Sequence, residues 1–540
     1  MKRMCALLVF AFSLTFCCHA FSQTRTVALS GEQAPGLPDL STFSQFSRAV
    51  LNDHGQVALI ASSESVSGVW SEGVGRGLAL VARTTPTSQS GIRFTGFQRL
   101  VLNNQGQLVI EASFAGGSSP NASGLGLWTS GINGPLDLLL HEGQLAPGHP
   151  DAAFLDEFLG NSFGTESPPI LNDSGQLGFR GLLRGPGING TINNDKGLWW
   201  NLGPGVTPVA FSRDTMSGLA NGRDSVGFGQ PVINNRGQML YVDFGIEHGV
   251  VVVDPSGMIM PIVTTADGFS EVSSLSPARI NDAGAVTFIA TRLSTGRSIW
   301  IRPENGALTR IIGTGELAPG AGGLHYKTIG NPIINAGGEI AFVGSLDGPG
   351  VVDVGDHFGI WSSRNGPVGK VVLLGDTAPG LDNFVFKQIH QSFTFNRIGQ
   401  IAIQGLAGPV GGPFTQQGIW ATDQIGQLQL IASAGTQIDV DNGIGVDLRT
   451  ISTVSMLIPD VSGTGNEDGL ASAFNEKGQL TFLATFSDGS RGVFVSNAVA
   501  VPEPSSVVPA LAVAFAAVLL RSHRRMALRM SRLKFRMWPC

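Results

Sequence analysis

The stretch Ile334–Gly344 reads INAGGEIAFVG, and it joins an Asn-x-x-Gly tetrapeptide directly to an apolar segment. The Asn335 side chain can hydrogen-bond to the backbone two residues further on, and Gly338 accepts a positive φ because it has no Cβ. The apolar residues after the turn occupy both alternating sets, as in a strand that is buried on both faces. This stretch therefore predicts a tight turn that leads into a core strand.

The same turn and strand occur eight times along the chain, at spacings of 47 to 79 residues. The Asn and Gly positions of the turns are Asn52 and Gly55, Asn103 and Gly106, Asn172 and Gly175, Asn234 and Gly237, Asn281 and Gly284, Asn335 and Gly338, Asn396 and Gly399, and Asn475 and Gly478. An active site is normally singular. We therefore interpret the repeated Asn and Gly residues as structural.

Two further motifs keep a constant place within the repeat. A Gly-apolar-Trp motif follows the first strand in most units, with the aromatic residues Trp70, Trp128, Trp199, Trp361 and Trp420 and the variant Ser298-Ile299-Trp300. An apolar strand that ends in Gly-x-x-Ala-Pro-Gly comes next in several units, as at Gly315–Gly320 and Gly375–Gly380. With the strand that leads into the next turn, each unit has about four strands.

Four-strand units of this length fit a β-propeller better than a solenoid, whose repeats are usually shorter. We predict an all-β fold, a β-propeller of eight four-stranded blades, with seven blades plus one degenerate unit as the alternative. The chain begins with the third-strand motif Thr26–Gly36 and its repeats end at the second-strand motif Gly492-Val493-Phe494. The N-terminal strand is therefore expected to complete the last blade and to remove the open sheet edges.

The constant place of the Trp residues indicates that they fill the core between neighbouring blades. The alternative is a set of stacking platforms for sugar rings. Trp199 and Trp200 are consecutive on one predicted strand. Successive strand side chains point to opposite faces, so one of these two must differ from the rest.

The two ends of the chain carry targeting features. Residues 1–23 hold Lys2 and Arg3, an apolar run and then small residues, as in a secretory signal peptide. Residues 499–540 hold the triplet Pro502, Glu503 and Pro504, an apolar stretch over 507–520 and a basic tail. The predicted organisation is thus a signal peptide (1–23), a propeller (24–498) and a C-terminal tail (499–540).

The tail resembles the PEP-CTERM sorting signal of exported bacterial proteins, since it has the Pro-Glu-Pro triplet, the apolar span and the basic cluster. The resemblance implies processing by an exosortase-type membrane enzyme and a link to extracellular polysaccharide and biofilm matrix. It also implies a transient anchor in the inner membrane before release to the cell surface or matrix. The alternative is a plain C-terminal membrane anchor, although 14 apolar residues are fewer than a span normally needs.

The repeats resemble the family of tandem NxxGxxAF-repeat proteins, which carry C-terminal anchors of various types. Residues 334–342 match that consensus in full and the other seven copies match it in part. The resemblance covers nearly all of residues 26–496, and it implies no reaction.

Composition indicates whether the ring can form disulfides and which ligand class its charge disfavours. Cys5, Cys17, Cys18 and Cys540 all lie in the predicted leader or tail, so the mature ring is expected to contain no disulfide. Loss of Lys2, Arg3 and the seven basic residues after Leu520 leaves about 25 basic against 40 acidic side chains, a net charge near -15. An acidic ring is a poor nucleic-acid binder, and we expect no nucleic-acid partner.

Candidate site residues are few. Ser162 stands in a GxSxG pattern, but in a chain with 74 Gly a chance match is expected. The His residues are single and lack metal-ligand spacing. Asp439, Asp441 and Asp447 resemble part of a calcium loop, with a solvated turn as the alternative. They lie in the longest stretch between repeats, which also holds Asp468.

The sequence therefore favours a non-catalytic binding or structural module at the cell surface or in the matrix, with extracellular polysaccharide as a possible ligand class. One alternative is an extracellular carbohydrate-active enzyme, a lyase or hydrolase, with its site on non-repeated propeller loops. A second alternative is a protein-docking scaffold, a role that many propellers have.

Overall fold

The fold is described from a computed structural model of the chain. It describes residues 24–500 except for 65, 74–76, 85–91, 117–122, 132–133, 156–167, 189–194, 204, 213–226, 246–247, 273–277, 351–356, 365, 414–415, 444 and 457–467. Within this part of the chain no helix has the length and apolar character needed to cross a bilayer.

The described strands form eight sheets, and neighbouring strands within each sheet run antiparallel. In chain order, β1 is Thr24–Leu29 and is treated below. Blade 1 holds β2 Gln45–Leu51, β3 Val57–Ser63, β4 Val66–Ser71 and β5 Ala79–Arg83. Blade 2 holds β6 Ile92–Leu102, β7 Leu108–Gly116, β8 Ser123–Ser130 and β9 Leu136–His141. Blade 3 holds β10 Ala153–Phe154, β11 Ile170–Leu171, β12 Leu177–Arg184, β13 Lys196–Gly203 and β14 Gly205–Phe211. Blade 4 holds β15 Val232–Ile233, β16 Met239–Phe244, β17 His248–Val253 and β18 Ile259–Thr264.

The second half of the ring repeats the pattern. Blade 5 holds β19 Glu271–Val272, β20 Arg279–Ile280, β21 Val286–Arg292, β22 Gly296–Arg302 and β23 Thr309–Gly313. Blade 6 holds β24 His325–Ile329, β25 Ile333–Ile334, β26 Ile340–Asp347, β27 Phe358–Ser362 and β28 Gly369–Leu373. Blade 7 holds β29 Phe384–Ile389, β30 Thr394–Phe395, β31 Ile401–Pro409, β32 Gln416–Thr422 and β33 Leu428–Ser433. Blade 8 holds β34 Gln437–Asp439, β35 Leu448–Ser455, β36 Leu480–Phe486 and β37 Arg491–Ser496.

The last blade is completed by the first strand of the chain. β1 pairs antiparallel with β37, with Thr24 opposite Ser496 and Leu29 opposite Gly492. The predicted eight-bladed propeller and its closure by the N-terminal strand are therefore confirmed. Without β1, the backbone groups of β37 would form an open edge, which is prone to pairing with other chains.

Each Asn-x-x-Gly turn joins the innermost strand of a blade to the second strand. The fourth residue has a φ between 76° and 79° in all eight turns, so Gly is required there for the reason that the sequence predicted. In the first turn Gly55 N donates to Asn52 O, and Asn52 N donates to Gln56 O. These two backbone bonds close the turn and start the ladder between β2 and β3.

The Trp residues lie in the apolar layers between adjoining blades, as predicted. Trp70, Trp199, Trp361 and Trp420 are each 0% exposed. The Nε1 atom of each donates to the carbonyl of the Pro in the turn before that blade, for example from Trp420 to Pro379 O at 3.0 Å. The Trp and the Ala-Pro-Gly turn thus form one unit, which explains why the two motifs occur together.

The Gly of the Gly-apolar-Trp motif makes room for this aromatic ring. A Cβ on Gly418 would lie 2.5 Å from Cη2 of Trp420, and a Cβ on Gly68 would lie 2.7 Å from Cη2 of Trp70. Blade 5 lacks this Gly, and its Trp makes different contacts. Ser298 replaces the Gly, and Trp300 donates to Ala290 O at 3.4 Å and lies under the guanidinium of Arg292 at 4.9 Å.

Trp199 and Trp200 belong to different apolar layers. Trp199 packs with Phe154 and Phe179 between blades 2 and 3, whereas Trp200 packs with Tyr241 between blades 3 and 4. The expectation that the pair faces opposite sides of the strand is confirmed. A strand buried on both faces is what a layered ring requires of its inner strands.

The replacement Gly418→Ala is expected to lower the free energy of unfolding by about 1–3 kcal/mol, because the new methyl overlaps the buried Trp420 ring. Thermal unfolding followed by Trp fluorescence measures the loss. The matched control is Gly369→Ala in β28, where nothing lies within 4 Å of an added Cβ. Equal effects of the two replacements would contradict the packing role of Gly418.

Candidate functional site

The Asn side chain of each turn has several hydrogen-bond partners. Asn52 Oδ1 accepts from the backbone N of His54 at 3.1 Å and of Gln56 at 3.0 Å. Its Nδ2 donates to Gln56 Oε1 at 2.8 Å and to the carbonyl oxygen of Asn103, in the next blade, at 3.1 Å. One buried amide therefore shapes its own turn and binds the neighbouring turn.

The bonds from one turn to the next close a complete circle. Each Asn Nδ2 donates to the carbonyl of the Asn one blade further on, and the last, Asn475, donates to Asn52 O at 2.9 Å. The donors Asn52, Asn103, Asn172, Asn234, Asn281, Asn335, Asn396 and Asn475 are all at most 1% exposed. The distances run from 2.8 to 3.5 Å. We call this circle the Asn ring.

A second polar arc lies beside the Asn ring, formed by the residue that follows each Asn. Asp53, Asn104, Asp173, Asn235 and Asp282 alternate carboxylate and amide along blades 1 to 5. The backbone N of each of the first four donates to the side-chain oxygen of the next, at 2.8 or 2.9 Å. Glu476 N of blade 8 joins the arc by donating to Asp53 Oδ1 at 2.9 Å. We call this set, with Glu476, the carboxylate arc.

The alternation keeps like charges apart. Asn104 Nδ2 donates to Asp53 at 2.5 Å and to Asp173 at 2.9 Å, so one amide bridges two carboxylates. Asn235 does the same for Asp173 and Asp282, at 3.2 and 3.0 Å. A carboxylate at every position would place negative charges side by side with no donor between them.

Burial and neighbouring charges raise the pKa of three carboxyl groups in the arc. Desolvation, together with the negative charge of Asp53, raises the pKa of Glu476 to about 7, against the opposing effect of Arg397. Arg397 Nη1 lies 3.7 Å from Glu476. Desolvation also raises the pKa of Asp53 and of Asp173. A carboxyl that titrates near neutral pH beside a second carboxyl can serve as an acid or a base.

Part of the centre of the ring is occupied by the chain itself. Between β35 and β36 the chain leaves the wall of blade 8, and its described residues 468–472 cross to other blades. Asp468 O accepts from Ile233 N at 3.1 Å, Gly469 O accepts from Leu171 N at 2.8 Å, and Ser472 O accepts from Leu51 N at 2.8 Å. These partners lie at the innermost strands of blades 4, 3 and 1. We call residues 468–472 the channel segment.

Buried contacts hold the channel segment in place. The Asp468 carboxylate lies 3.5 Å from Arg279 Nε in blade 5, and both side chains are at most 2% exposed. Leu470 packs in the apolar layer that includes Val232 and Ile280. A Cβ on Gly469, whose φ is 75°, would lie 2.9 Å from Ile233 Cγ2. The fit is close enough that Gly is needed for space as well as for conformation.

The three Asp residues proposed for calcium lie in the loop after β34. Asp439 Oδ1 accepts from the backbone N of Asp441 at 3.1 Å and of Asp447 at 2.9 Å, and Asp447 Oδ2 pairs with Arg449 at 2.8 Å. In the described part of the chain no group of three or more His, Cys, Asp or Glu side chains is placed to hold a metal ion. A calcium site at Asp439, Asp441 and Asp447 stays a prediction.

The same loop also holds β1 in place, which the sequence did not indicate. Asn442 Oδ1 accepts from Thr26 N at 2.8 Å, and Asn442 Nδ2 donates to Thr26 O at 2.7 Å. Thr26 Oγ1 also donates to Val440 O at 2.8 Å. The loop therefore hydrogen-bonds to β1 along the edge that does not pair with β37.

Other residues singled out from the sequence lie outside the described residues. These are Ser162, the sorting triplet Pro502, Glu503 and Pro504, the leader 1–23 and the apolar stretch 507–520. Their proposed roles stay predictions.

Two features were missed at the sequence level although a signal was present. The residue after each repeated Asn alternates Asp, Asn, Asp, Asn, Asp over the first five copies. The fifth residue of the motif is Gln in six of the eight copies, and its side chain accepts from the Asn amide in each of them. The alternation of Asp and Asn is the signal for the carboxylate arc, whereas the Gln bonds to the Asn of its own turn and gives no sign of the Asn ring.

The closed circle of turns and the blades around it define a β-propeller of eight blades. The chain belongs to the family of unknown function DUF7453, whose model matches residues 17–199 and 162–508. None of the curated proteins matches the chain in sequence.

Several solved propeller structures resemble the fold at low sequence identity. The Dos1 propeller has 10% identity and a TM-score of 0.36, over 87% of this chain and 94% of the other. Oligogalacturonate lyase in complex with manganese has 11% identity and a TM-score of 0.35, over 86% of this chain and 98% of the other. Prolyl oligopeptidase B from Galerina marginata, bound to a 25mer macrocyclization substrate, has 10% identity and a TM-score of 0.39, over 83% of this chain and 56% of the other.

The replacement Asn396→Asp tests the Asn ring. A carboxylate still accepts from Gln400 N, but it cannot donate to Asn475 O, which lies 2.9 Å from Asn396 Nδ2. We expect a loss of about 1–3 kcal/mol in the free energy of unfolding in urea at pH 7.5, since a buried acceptor loses its donor.

The control for this test lies in the same blade. Asp423 forms a similar turn between β32 and β33, accepting from Ile425 N and Gln427 N, but it is not part of the Asn ring. Asp423→Asn is expected to change stability by less than about 0.5 kcal/mol. A loss as large as that of Asn396→Asp would show that an exchange of amide and carboxylate disturbs such a turn by itself, and would contradict the assignment of the Asn396 effect to the Asn ring.

The replacement Glu476→Gln tests the carboxylate arc. The carboxyl ionises less readily in the folded ring than in the unfolded chain, so its effect on stability becomes unfavourable as the pH rises from 4.5 through about 7. We expect the variant to be more stable than the parent by about 1 kcal/mol at pH 8 and equal to it at pH 4.5, after allowance for solvent screening.

Thermal unfolding at the two pH values measures this difference. Replacement of the exposed turn residue Asp382 by Asn, outside the carboxylate arc, is the control for the loss of one negative charge. A Glu476→Gln variant that loses stability at pH 8 would mean that the pairing with Arg397 outweighs the burial of the carboxyl.

Proposed function

We propose that this protein is an exported, surface- or matrix-associated propeller that acts as a non-catalytic binding and structural module for extracellular polysaccharide. The leader-like residues 1–23 support export, and the sorting-like residues 499–540 support a transient inner-membrane anchor and exosortase-type processing. The fold supplies a large, closed and disulfide-free body to which such targeting segments can be attached.

The observation that carries the proposal is the partly filled centre of the ring. In open propellers the central channel is a natural place for a small ligand, because loops from all blades converge there. Here residues 468–472 lie in that space and are bonded to blades 1, 3, 4 and 5. The repeated polar residues are likewise engaged in the Asn ring, so a ligand meets only the surfaces that the channel segment and the turns leave uncovered. This arrangement favours contact with an extended ligand.

One observation favours the alternative of a carbohydrate-active enzyme. Glu476 has a pKa of about 7, and its backbone N donates to Asp53 Oδ1, so a second carboxyl group lies beside it. Lyases and hydrolases of sugars commonly use such groups for proton transfer. The repeated geometry of the turns gives the same two residues a structural explanation, and we therefore place catalysis second.

Calorimetric titration of residues 24–500 with the exported polysaccharide of the producing bacterium tests both ideas. We expect saturable heat, and a dependence on calcium would locate part of the binding in the Asp439–Asp447 loop. Heat that continues after each injection would indicate turnover and contradict the non-catalytic assignment. In that event Glu476→Gln is the first variant to assay, with release of new sugar ends as the readout. An absence of heat with and without calcium would contradict polysaccharide binding.

A further inference from the structure

The channel segment leaves one side of the ring open, and two adjoining cavities lie there. The larger, of about 730 Å³, lies between blades 6 and 7 and is lined by parts of β24, β26 and β29 and by His390 to Ser392. The smaller, of about 300 Å³, is lined by parts of β2, β31, β35 and β36 of blades 1, 7 and 8. His390 lines both cavities, and we treat the two together as one groove. We call it the 6–1 groove.

The charge of the 6–1 groove is opposite to that of the molecule. Its described lining includes Arg48, Lys387 and His390 but no Asp or Glu. The chain as a whole has more acidic than basic side chains, so this lining contrasts with the net charge. A cationic lining within an acidic protein attracts anions locally.

Backbone N–H groups fix the tautomer of one side chain in the groove and the amide orientation of another. His390 Nδ1 accepts from Ser392 N at 3.2 Å, so in the neutral ring the proton is on Nε2, which is then a donor. Gln404 Oε1 accepts from Met456 N at 3.2 Å. The amide nitrogen of Gln404 is therefore the end that is left to donate to a ligand. Both groups are donors, as an anionic or hydroxyl-rich ligand requires.

Lys387 is the cation whose position is most informative. It is half-buried in β29 and lies in the larger cavity, and in the described part of the chain no ion pair engages it. Its equivalent one blade earlier is Lys327, in the sequence Tyr326-Lys327-Thr328 against Phe386-Lys387-Gln388. Lys327 is exposed and does not line either cavity. Lys387 and Lys327 thus occupy equivalent positions in neighbouring blades, and only Lys387 lies in the groove.

From these observations we infer that the 6–1 groove binds an acidic glycan, a chain of sugars that carries carboxylates, as the specific ligand of the polysaccharide-binding function proposed above. Lys387 would pair with a sugar carboxylate, and the amides and hydroxyls of Gln388, Gln391, Gln404 and Thr328 would bind sugar hydroxyls. Nucleic acid fits less well, because its dense phosphate charge requires many cations and is repelled by the rest of the ring.

The inference rests on the proposed function, and a pair of matched ligands separates the two. The probes are a β-1,4-linked mannuronate hexamer and β-1,4-mannohexaose, which share linkage and ring configuration and differ in the carboxylates. Calorimetry with residues 24–500 is expected to detect the mannuronate hexamer, with affinity that falls as salt is raised. The neutral hexamer is expected to bind at least about tenfold more weakly, since a hydrogen bond to a charged group accounts for a tenfold factor or more.

The variants locate the site. Lys387→Gln is expected to weaken binding of the mannuronate hexamer about tenfold or more, whereas Lys327→Gln, with the same loss of charge, leaves it unchanged. Unfolding curves of the two variants verify that both remain folded. A variant pair with equal affinities would overturn the assignment of the groove.

The remaining outcomes are equally decisive. Equal affinity for the two hexamers would overturn the acidic class of ligand and leave polysaccharide binding in place. Binding of the bacterium's own polysaccharide without binding of either hexamer would overturn the inference alone. No binding of any glycan would overturn the proposed function as well. Tighter binding of single-stranded oligothymidylate, with the same loss in Lys387→Gln, would assign the groove to nucleic acid.

Discussion

The side-chain amide of the repeated Asn is the interaction on which the rest of the ring depends. It is the one group that satisfies its own turn and reaches the next blade, through donors and acceptors that no other small side chain combines. A carboxylate would shape the turn equally well, as Asp254 and Asp423 do in the outer turns, where Ser256 N and Ile425 N donate to them. Only an amide has an additional donor for the neighbouring carbonyl. The position of every blade relative to the axis follows from eight copies of this bond. The bonds are buried, so their loss would leave a carbonyl without solvent or partner.

Much of this architecture could be predicted from the sequence because it is encoded locally and repeatedly. The positive φ of Gly338, the core position of Trp420 and the pairing of β1 with β37 each follow from motifs that occur in register. The Asn ring was not predicted, since a single turn gives no sign of what its amide meets across the blade boundary. The channel segment was not predicted either. Asp468 was visible as part of a non-repeated insertion, but its partner Arg279 lies three blades away, and no local pattern connects them. The 6–1 groove depends on what that insertion leaves open.

At the centre of the ring the repeated units differ from one another. Eight equal blades would give a symmetric channel with the same residue at each level. Instead the residue after the Asn changes from carboxylate to amide around blades 1 to 5, then becomes Ala336 and Arg397. The channel segment from blade 8 contacts blades 1, 3, 4 and 5 and so divides the interior into a filled side and an open side. The raised pKa of Glu476 and the cationic lining around His390 are both products of this broken symmetry. Function in a propeller of this kind is more readily sought where the repeats differ than where they agree.

The composite last blade also determines when the molecule can first exist as a ring. Residues 24–29 are made early and are the first of the ring to emerge, whereas their partners at 492–496 come last. Until then β1 has no strand to pair with, and the Asn475 amide has not yet met Asn52. Bringing the two ends together closes a loop of more than four hundred residues, which is slow even when the final state is stable. The ring can therefore close only after the last repeat has been made, because its first strand pairs with its last.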